Sequence, residues 1–353
     1  MPAEPSLLTI DGSHGEGGGA LLRTALAMSA MTQQPMRMMS VRQGTRHPGL
    51  DPEDLTIIRA LEESTAAECT GVLPGSTSFT FAPARTAKGI SGRLASIRNE
   101  SNRGPNALVV LTTLLPIMAR SGVYCSVTST GETFGAHSLG YDSFADQTLE
   151  VLRAIGLYAY PSLVSAGFGR ESRGEVSLEV EPSHLDGLQW MQRGLFVDAR
   201  AVVTTANVSA SIGSRAVSHL KSMARNSNMP METELVEVDS IGHGCHISVS
   251  IRYEKGMGGG AAMGARTVWA ETLAQAAFEE AFDWRGSDAC IDPYLADQIL
   301  LPCVFAEEPS SFTVSRLTKR FLTSVWVVKQ FLPIHLTVRG SENHAGVVTI
   351  KRS

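Results

Sequence analysis

An early glycine-rich stretch that ends at Arg23 carries the residue types of an anion-binding turn. Glycine allows a positive φ and lets a ligand approach the backbone closely. The N–H groups at the start of a following helix attract anions, and a guanidinium such as that of Arg23 binds phosphate through two hydrogen bonds. With Glu16 inside the turn, the spacing predicts a polyanion site. Its backbone would be supplied by the consecutive glycines Gly17, Gly18 and Gly19.

Glycine-rich sequence also has plainer interpretations. The first stretch could be a strand-to-helix turn whose glycines serve close packing alone. A second stretch, Gly256–Gly264, is not followed by the Lys-Ser/Thr pair of a phosphate loop. We expect this second stretch to be a flexible linker, with a phosphate loop as the alternative.

The apolar residues recur with the spacing of alternating helices and strands, which predicts an α/β protein. Predicted helices cover Leu21–Met31, Asp51–Glu63, Gly104–Ser121, Tyr141–Ile155, Tyr294–Phe305 and Thr323–Phe331. Predicted strands cover Met36–Arg42, a pair within Glu68–Phe81, Val123–Ser129 and Ile334–Arg339. Two helices with a small sheet therefore recur three times, although the sequences of the units share little.

The segment Gly187–Trp284 interrupts this repetition with a pattern of its own. Phe196–Thr204 and His246–Tyr253 alternate as half-buried strands do, and Thr267–Phe282 has a helical pattern. We therefore expect an inserted domain. The predicted division is a large domain of residues 1–184 and 287–353 and a small α/β domain of residues 185–286.

Composition narrows the class of protein. With 353 residues the chain can build a large core and two domains. A net charge of −5 means that nucleic acid would be bound by a local basic patch.

The five cysteines lack Cys-x-x-Cys spacing, which favours buried thiols in a reducing compartment. The longest apolar run, Ala107–Ala119, is too short for a membrane span, and no signal peptide is visible, so we expect a cytoplasmic protein without membrane partners.

Several further motifs follow one another along nearly the whole chain. They are Asp11–Gly19 with Leu22 and Arg23, Val41–Gly44, Pro48–Leu50, Gly264–Glu271, Tyr294–Pro302, and Phe312–Val314 with Val328 and Phe331–Pro333. Together they resemble the RNA 3′-terminal phosphate cyclase family, which includes cyclase-like ribosome-biogenesis proteins. The combination is specific, whereas no single motif is. The resemblance implies three repeated units of two helices on a four-stranded sheet, with a smaller α/β domain inserted.

The resemblance also implies an activity, the ATP-dependent conversion of an RNA 3′-phosphate into a 2′,3′-cyclic phosphate. A histidine first takes up AMP, the AMP passes to the RNA phosphate, and the neighbouring 2′-hydroxyl displaces it. Such chemistry needs a nitrogen nucleophile, a divalent metal and arginines that hold phosphates in line. The implied cofactors are ATP and Mg²⁺ or Mn²⁺, the implied partner is an RNA 3′ end, and a homodimer stays open.

Matching positions imply roles for individual residues. Glu16 and Asp297 match the carboxylates near the metal and nucleotide, and Arg23 and Arg42 match the arginines that hold phosphate. Tyr294 and Gln298 match residues of the opposite wall. Ordinary interpretations exist for the charges: Asp297 could stabilise a helix N-terminus, and Arg42 could be a solvated strand-end charge.

The chain departs from the family pattern at several positions. With the spacing from Phe312–Val314 to Phe331–Pro333 kept, the catalytic histidine falls on Arg320, and a protonated guanidinium cannot act as a nucleophile. A family arginine is Thr45, for which the neighbouring Arg46 could compensate. The remaining changes are Glu53 for a glutamine near the nucleotide, Ala20 for another glutamine, and Gly169–Gly174 for a run of three glycines.

Three functions remain open at this point. The first is a diverged family member that binds an RNA 3′ end or another phosphorylated ligand without the histidine chemistry. The second is an active cyclase or adenylyltransferase whose nucleophile is Lys319 or His14, although Lys319 would point about 100° away from Arg320 on a helix. The third is different phosphoryl or phosphodiester chemistry on the same scaffold.

Overall fold

The computed structural model describes residues 6–136, 138–264 and 269–351, and its first unit is a four-stranded sheet carrying two helices. The elements are β1 (Leu8–Asp11), α1 (Gly19–Thr32), β2 (Met36–Met39), α2 (Pro52–Thr65), β3 (Glu68–Thr70) and β4 (Phe79–Ala82). The strand order is β1-β2-β4-β3, in which β1 and β2 are parallel and the other pairs are antiparallel.

The second unit repeats this topology. Its elements are β5 (Gly92–Arg93), α3 (Ala107–Ala119), β6 (Cys125–Gly131), α4 (Tyr141–Ser143), a π-helical turn (Phe144–Thr148), α5 (Leu149–Ala154), β7 (Ala159–Ser165) and β8 (Gly174–Val180). The order β5-β6-β8-β7, with only the first pair parallel, matches the order in the first unit. The single helix predicted over Tyr141–Ile155 is therefore three consecutive helical pieces.

The third unit is interrupted after its first strand. β9 (Gln189–Trp190) is followed by a separate sheet with two helices before the unit resumes. This inserted part consists of β10 (Phe196–Ala206), α6 (Ala210–Asn226), β11 (Glu232–Glu237), β12 (Gly244–Tyr253), β13 (Gly256–Gly264) and α7 (Ala270–Gly286). Its strand order is β11-β10-β12-β13. Residues 265–268, which include the predicted helix start at Thr267 and part of one motif, lie outside the described residues.

The third unit then closes with the topology of the first two. Its remaining elements are α8 (Pro293–Phe305), β14 (Ser310–Val314), α9 (Lys319–Phe331), β15 (His335–Arg339) and β16 (Gly346–Lys351). The order β9-β14-β16-β15 again begins with a parallel pair and continues with antiparallel ones. The predicted fold class, three units of two helices on a four-stranded sheet with an α/β insertion, is confirmed. The exact domain boundaries stay a prediction.

Local capping explains where several of these helices begin. The side chains of Asp51, Asn106 and Asp292 each accept two backbone hydrogen bonds at the starts of α2, α3 and α8. Pro52 and Pro293 follow two of these caps at the first helical position, where a missing N–H costs nothing. Two of the capping residues, Asp51 and Asp292, also line the cavity that is described below.

The helices of the three units share one hydrophobic core, in which Leu26, Leu111 and Leu300 are buried. The inserted sheet has a second core of its own, built by residues such as Val203, Ile247 and Phe278. Burial in the first core accounts for the apolar character of α3. Across the described residues, no helix combines the length and apolar character needed to cross a bilayer.

The glycine-rich segment Gly256–Gly264 is a strand, so the predicted flexible linker is wrong. It pairs with β12 along its whole length and is largely buried. A Cβ on Gly258 would lie 2.2 Å from the ring of Trp284, and one on Gly260 would lie 2.3 Å from the carbonyl oxygen of Ala277. The glycines are needed because α7 packs directly onto the backbone of β13.

This packing predicts that Gly258→Ala lowers the free energy of unfolding by about 1–3 kcal/mol, because the added methyl group overlaps Trp284. Urea unfolding followed by circular dichroism measures the change. Gly286→Ala is the matched control at the end of the same helix, where a Cβ meets open space. An equal loss of stability in both variants would contradict the role assigned to the glycines.

Candidate phosphate-binding site

A cavity of about 700 Å³ opens where helices of all three units meet the inserted part. This volume suits a small ligand or the end of a longer one. The charged residues that line it come from seven separate segments. They are Arg23, Arg42, Asp51, Glu53, Arg170, Glu280, Asp292, Asp297 and Arg320. Four guanidinium groups around one cavity are the arrangement expected for an anionic ligand.

The glycine-rich turn before α1 lies against α9. Gly15 has a φ of 60°, and a Cβ there would lie 2.1 Å from Oγ1 of Thr323. The backbone N–H of Glu16 donates to the same hydroxyl oxygen over 3.0 Å. The glycines of the turn therefore allow close packing, and Gly19 at its end lines the cavity. Anion binding by the turn stays a prediction.

The N-terminus of α1 faces two guanidinium groups. The helix begins at Gly19, and Gly18 at its N-cap supplies no side-chain hydrogen bond. A Cβ on Gly19 would lie 2.5 Å from Nη1 of Arg23 and 2.6 Å from Nη2 of Arg42. Glycine at this position lets both guanidinium groups approach the helix start, where the backbone N–H groups already favour a negative charge.

Arg42 is held by the cap of α2. Its Nη1 donates to Asp51, and its Nη2 donates to Oδ1 of Asp54 over 2.9 Å. Burial raises the pKa of Asp54 to about 7, and the negative charge of Asp51 adds to this. Burial alone would raise the pKa of Asp51. The guanidinium of Arg42 nevertheless holds this pKa below its ordinary value. Arg42 is therefore a fixed cation and not the solvated strand-end charge of the ordinary interpretation.

Glu53 binds two of the arginines. Its Oε1 accepts from Nη1 of Arg170 over 2.7 Å, and its Oε2 lies 3.7 Å from Nη1 of Arg23. The backbone N–H of Asn106 also donates to Oε1, over 3.1 Å. Burial and the charge of Asp51 raise the pKa of Glu53, while the two guanidinium groups oppose that shift. Glu53 thus orients Arg23 and Arg170 but also reduces the positive charge they offer.

Arg320 and Asp297 form a further ion pair in the cavity lining. Nε of Arg320 lies 2.5 Å from Oδ2 of Asp297, and its guanidinium stands 5.9 Å from the ring centroid of Tyr294. Burial raises the pKa of Asp297 to about 6. The guanidinium of Arg320 opposes this rise, whereas the negative charge of Glu16 adds to it. The other oxygen of Asp297, Oδ1, is buried and has no hydrogen-bond partner in the described part of the chain.

The cavity lining also contains the polar residues Gln298, Tyr294 and Glu280. Gln298 accepts a hydrogen bond from Oγ1 of Thr148 over 2.6 Å. Tyr294 is 43% exposed. Glu280 of the inserted part reaches the cavity, and its Oε2 accepts from the N–H of Ala261 over 3.1 Å. Both Tyr294 and Gln298 line the cavity, as the resemblance implies.

Other predicted site residues lie outside the lining. Lys319 and Arg46 are exposed, and neither lines the cavity. His14 stacks on Trp326 with the ring centroids 3.8 Å apart, on the outer side of the glycine-rich turn. Glu16 is half-buried and acts on Asp297 and Arg320 through its charge.

Sequence reasoning did not single out Arg170, Glu280 or Thr148, which the fold brings to the same cavity. Arg170 follows Gly169, in the segment already noted for its missing glycines, and this was the one available signal. Glu280 and Thr148 lie within helical segments and carry no motif, so only the tertiary structure reveals them.

The carboxylates Glu16 and Asp297 do not fit a divalent metal ion. Oδ2 of Asp297 is occupied by the guanidinium of Arg320, which places a fixed cation where the ion would bind. Mg²⁺ and Mn²⁺ require free oxygen ligands in a suitable arrangement. Within residues 6–136, 138–264 and 269–351, no group of three or more His, Cys, Asp or Glu side chains is arranged to hold a metal.

Fold and site together define the class of protein: an α/β protein of three repeated units with an inserted α/β part and a cavity lined by arginines and carboxylates. The profile of one family, RNA 3′-terminal phosphate cyclase, matches residues 14–338. The chain belongs to this family.

Curated relatives match over nearly their whole length. An RNA 3′-terminal phosphate cyclase of Methylococcus capsulatus is 31% identical, over 98% of this chain and 96% of the relative. Those of Koribacter versatilis and Salmonella typhimurium are each 30% identical, covering 99% and 96% of this chain and 97% of each relative. Among solved structures, the enolpyruvyl transferase NikO from Streptomyces tendae matches with a TM-score of 0.37 and 10% sequence identity. The match covers 97% of this chain and 48% of NikO, and a likeness of this strength supports no structural or functional conclusion.

The raised pKa of Asp297, about 6, predicts that anion binding weakens as the pH rises through that value. Below it the carboxyl is neutral, whereas above it the negative charge repels the ligand. Sulfate is a suitable probe because its own charge stays constant. Isothermal titration calorimetry should show an affinity about three- to tenfold lower at pH ~7.5 than at pH ~5.

Asp297→Asn is the control for this pH dependence, because the amide has no charge to gain. We expect the part of the change centred near pH 6 to disappear in this variant. A profile identical to that of the unsubstituted protein would show that Asp297 does not face the bound anion.

Proposed function

We propose that this protein binds a phosphorylated ligand, in the first place an RNA 3′ end, and does not use the histidine–adenylate chemistry of its family. One observation carries the proposal: the residue at the expected nucleophile position, Arg320, is an arginine paired with Asp297 inside the cavity. A guanidinium keeps its proton at any physiological pH and attacks no phosphorus atom, but it is well suited to hold a phosphate.

The other cavity residues support a terminal phosphate as the ligand. Arg23 and Arg42 meet at the start of α1, so a phosphate there would accept from two guanidinium groups and the helix backbone. Arg320 lines the same cavity from the first turn of α9. The three cations would surround one phosphate group, whose dianionic form at neutral pH offers an oxygen to each.

A buried oxygen supports a ribose beside that phosphate. Oδ1 of Asp297 has no partner among the described residues, and a buried acceptor without a donor is costly. The 2′-hydroxyl next to an RNA 3′-phosphate is a donor of the required kind. Such a contact would distinguish RNA from DNA at the terminal nucleotide.

ATP belongs to the alternative in which the chain is an active cyclase. Bound there, ATP would supply the adenylyl group that activates the RNA phosphate. Glu53 adds a negative charge where a glutamine is expected, which disfavours a triphosphate in this cavity. Phosphodiester chemistry on a small metabolite has no specific observation in its favour, and assignment to the cytoplasm stays a prediction.

The proposal predicts that an oligoribonucleotide with a 3′-phosphate binds at least about tenfold more tightly than the same RNA with a 3′-hydroxyl. Fluorescence anisotropy at two salt concentrations measures this, with a 2′-deoxy 3′-phosphate end as a third ligand. Arg23→Ala should remove most of the preference, because its guanidinium contacts the phosphate.

Arg59→Ala is the matched control for this test, since Arg59 is an exposed arginine paired with Glu62 on α2. It should leave the preference unchanged. Equal binding of the two RNA ends by the unsubstituted protein would overturn the proposal.

A second prediction concerns covalent chemistry. Incubation with α-labelled ATP should leave no covalently labelled protein in the presence of either Mg²⁺ or Mn²⁺, because among the described residues no histidine or lysine lines the cavity. Label that disappears in Lys319→Ala or His14→Ala would instead establish an active adenylyltransferase.

A third prediction uses Glu53, whose charge is compensated by Arg23 and Arg170. Glu53→Gln keeps the shape of the side chain and removes its charge, so it should raise the affinity for 3′-phosphate RNA by about threefold or more. The 3′-hydroxyl RNA should gain much less. A lower affinity with unchanged thermal stability would show that Glu53 contributes by positioning the arginines.

A further inference from the structure

Arg320 is paired with one of the two carboxylates that the family resemblance assigns to metal binding and lies within electrostatic reach of the other. Its Nε binds Oδ2 of Asp297 over 2.5 Å, and the charges of Asp297 and Glu16 both act on it. The guanidinium is held on the first turn of α9, which Thr318 caps by accepting from the N–H of Phe321. The cation is thus fixed by a helix start and an ion pair together.

We infer that Arg320 is a built-in cation that takes the place of a divalent metal ion, so that ligand binding at this site is independent of metal. The identity of the ligand in this inference rests on the proposed function. The claim that Arg320 replaces a metal ion concerns the protein alone and can be tested without a ligand. Arg320 would act as a positioning and charge-compensating residue for the bound phosphate.

The repulsion between two cations on the same carboxylate, that of Asp297, supports this inference. A metal ion on the remaining oxygen of Asp297 would stand beside the guanidinium on the other oxygen, and two cations at such a separation repel each other. The same carboxylate cannot satisfy both, because its negative charge is already compensated by the pair. Asp297 is only 13% exposed, so water screens this repulsion poorly.

The position of the guanidinium also suits direct contact with a ligand. Only Nε is used for Asp297, and in the described part of the chain the terminal nitrogens donate to no carboxylate or carbonyl oxygen. The side chain is 39% exposed and lines the cavity together with Arg23. The two terminal nitrogens, Nη1 and Nη2, therefore remain to donate to a phosphate, which is the contact a metal ion would otherwise make.

Mn²⁺ binding to the protein without RNA tests the inference directly. Electron paramagnetic resonance of free Mn²⁺ should detect no site in the unsubstituted protein. Arg320→Ala should create one, because Asp297 and Glu16 lose their cation, whereas Arg320→Lys should not. The double variant Arg320→Ala with Asp297→Asn should lose the site again, and thermal melting checks that each variant is folded.

RNA binding provides the second readout. The affinity of the unsubstituted protein for 3′-phosphate RNA should change less than about twofold between EDTA and Mg²⁺, after correction with 3′-hydroxyl RNA. In Arg320→Ala the affinity in EDTA should fall by about tenfold and be restored in part by Mn²⁺.

Mn²⁺ binding by the unsubstituted protein, or loss of its phosphate preference in EDTA, would overturn the inference. Absence of any phosphate preference in all conditions would overturn the proposed function instead, and the RNA-free Mn²⁺ result would still decide the role of Arg320.

Discussion

Charge pairing inside one cavity is the constraint on which this structure depends. Each guanidinium that lines the cavity lies against a carboxylate, and Glu53 serves two of them. Glu53 is buried and Asp51 and Asp297 are half-buried, so the nearby cations stabilise the ionised forms of these carboxylates. A buried arginine would be equally costly without its partner. The pairs therefore fix the positions of the cations while they lower the net positive charge of the cavity, and under the proposed function the affinity for an anion would depend on the balance of the two effects.

No single repeat builds this cavity. The first unit supplies Arg23 and Arg42, the second supplies Arg170, and the third supplies Asp297 and Arg320. Each side chain follows from ordinary features of its own unit, a helix start, a cap or a loop, and the shared core sets the units side by side. Divergence at one position can thus change the chemistry without disturbing the fold, since the caps and the strand order do not depend on the residue at position 320.

Helices and strands with local signals could be predicted from the sequence, and features set by distant contacts could not. The cap Asp51 followed by Pro52 marks the start of α2, and the repeated pattern identified the three units. The strand at Gly256–Gly264 could not be predicted because glycine is disfavoured in strands. Only the close packing of α7 explains the glycines of this strand. Arg170 was missed for a related reason: its partner Glu53 is 117 residues away, and no short motif records that contact.

The interruption of the third unit has a consequence for how the chain folds. In the first two units the parallel strands are joined by one helix and its flanking loops, whereas β9 pairs with β14 across the whole inserted sheet. Closing so long a segment is entropically slower than closing a short one, unless the segment has first folded and brought its own ends together. The inserted sheet and its helices are therefore expected to form early, and the third unit to assemble last. Since α8 and α9 belong to that unit, the ability to recognise an anion would be the final property that a newly synthesised chain acquires.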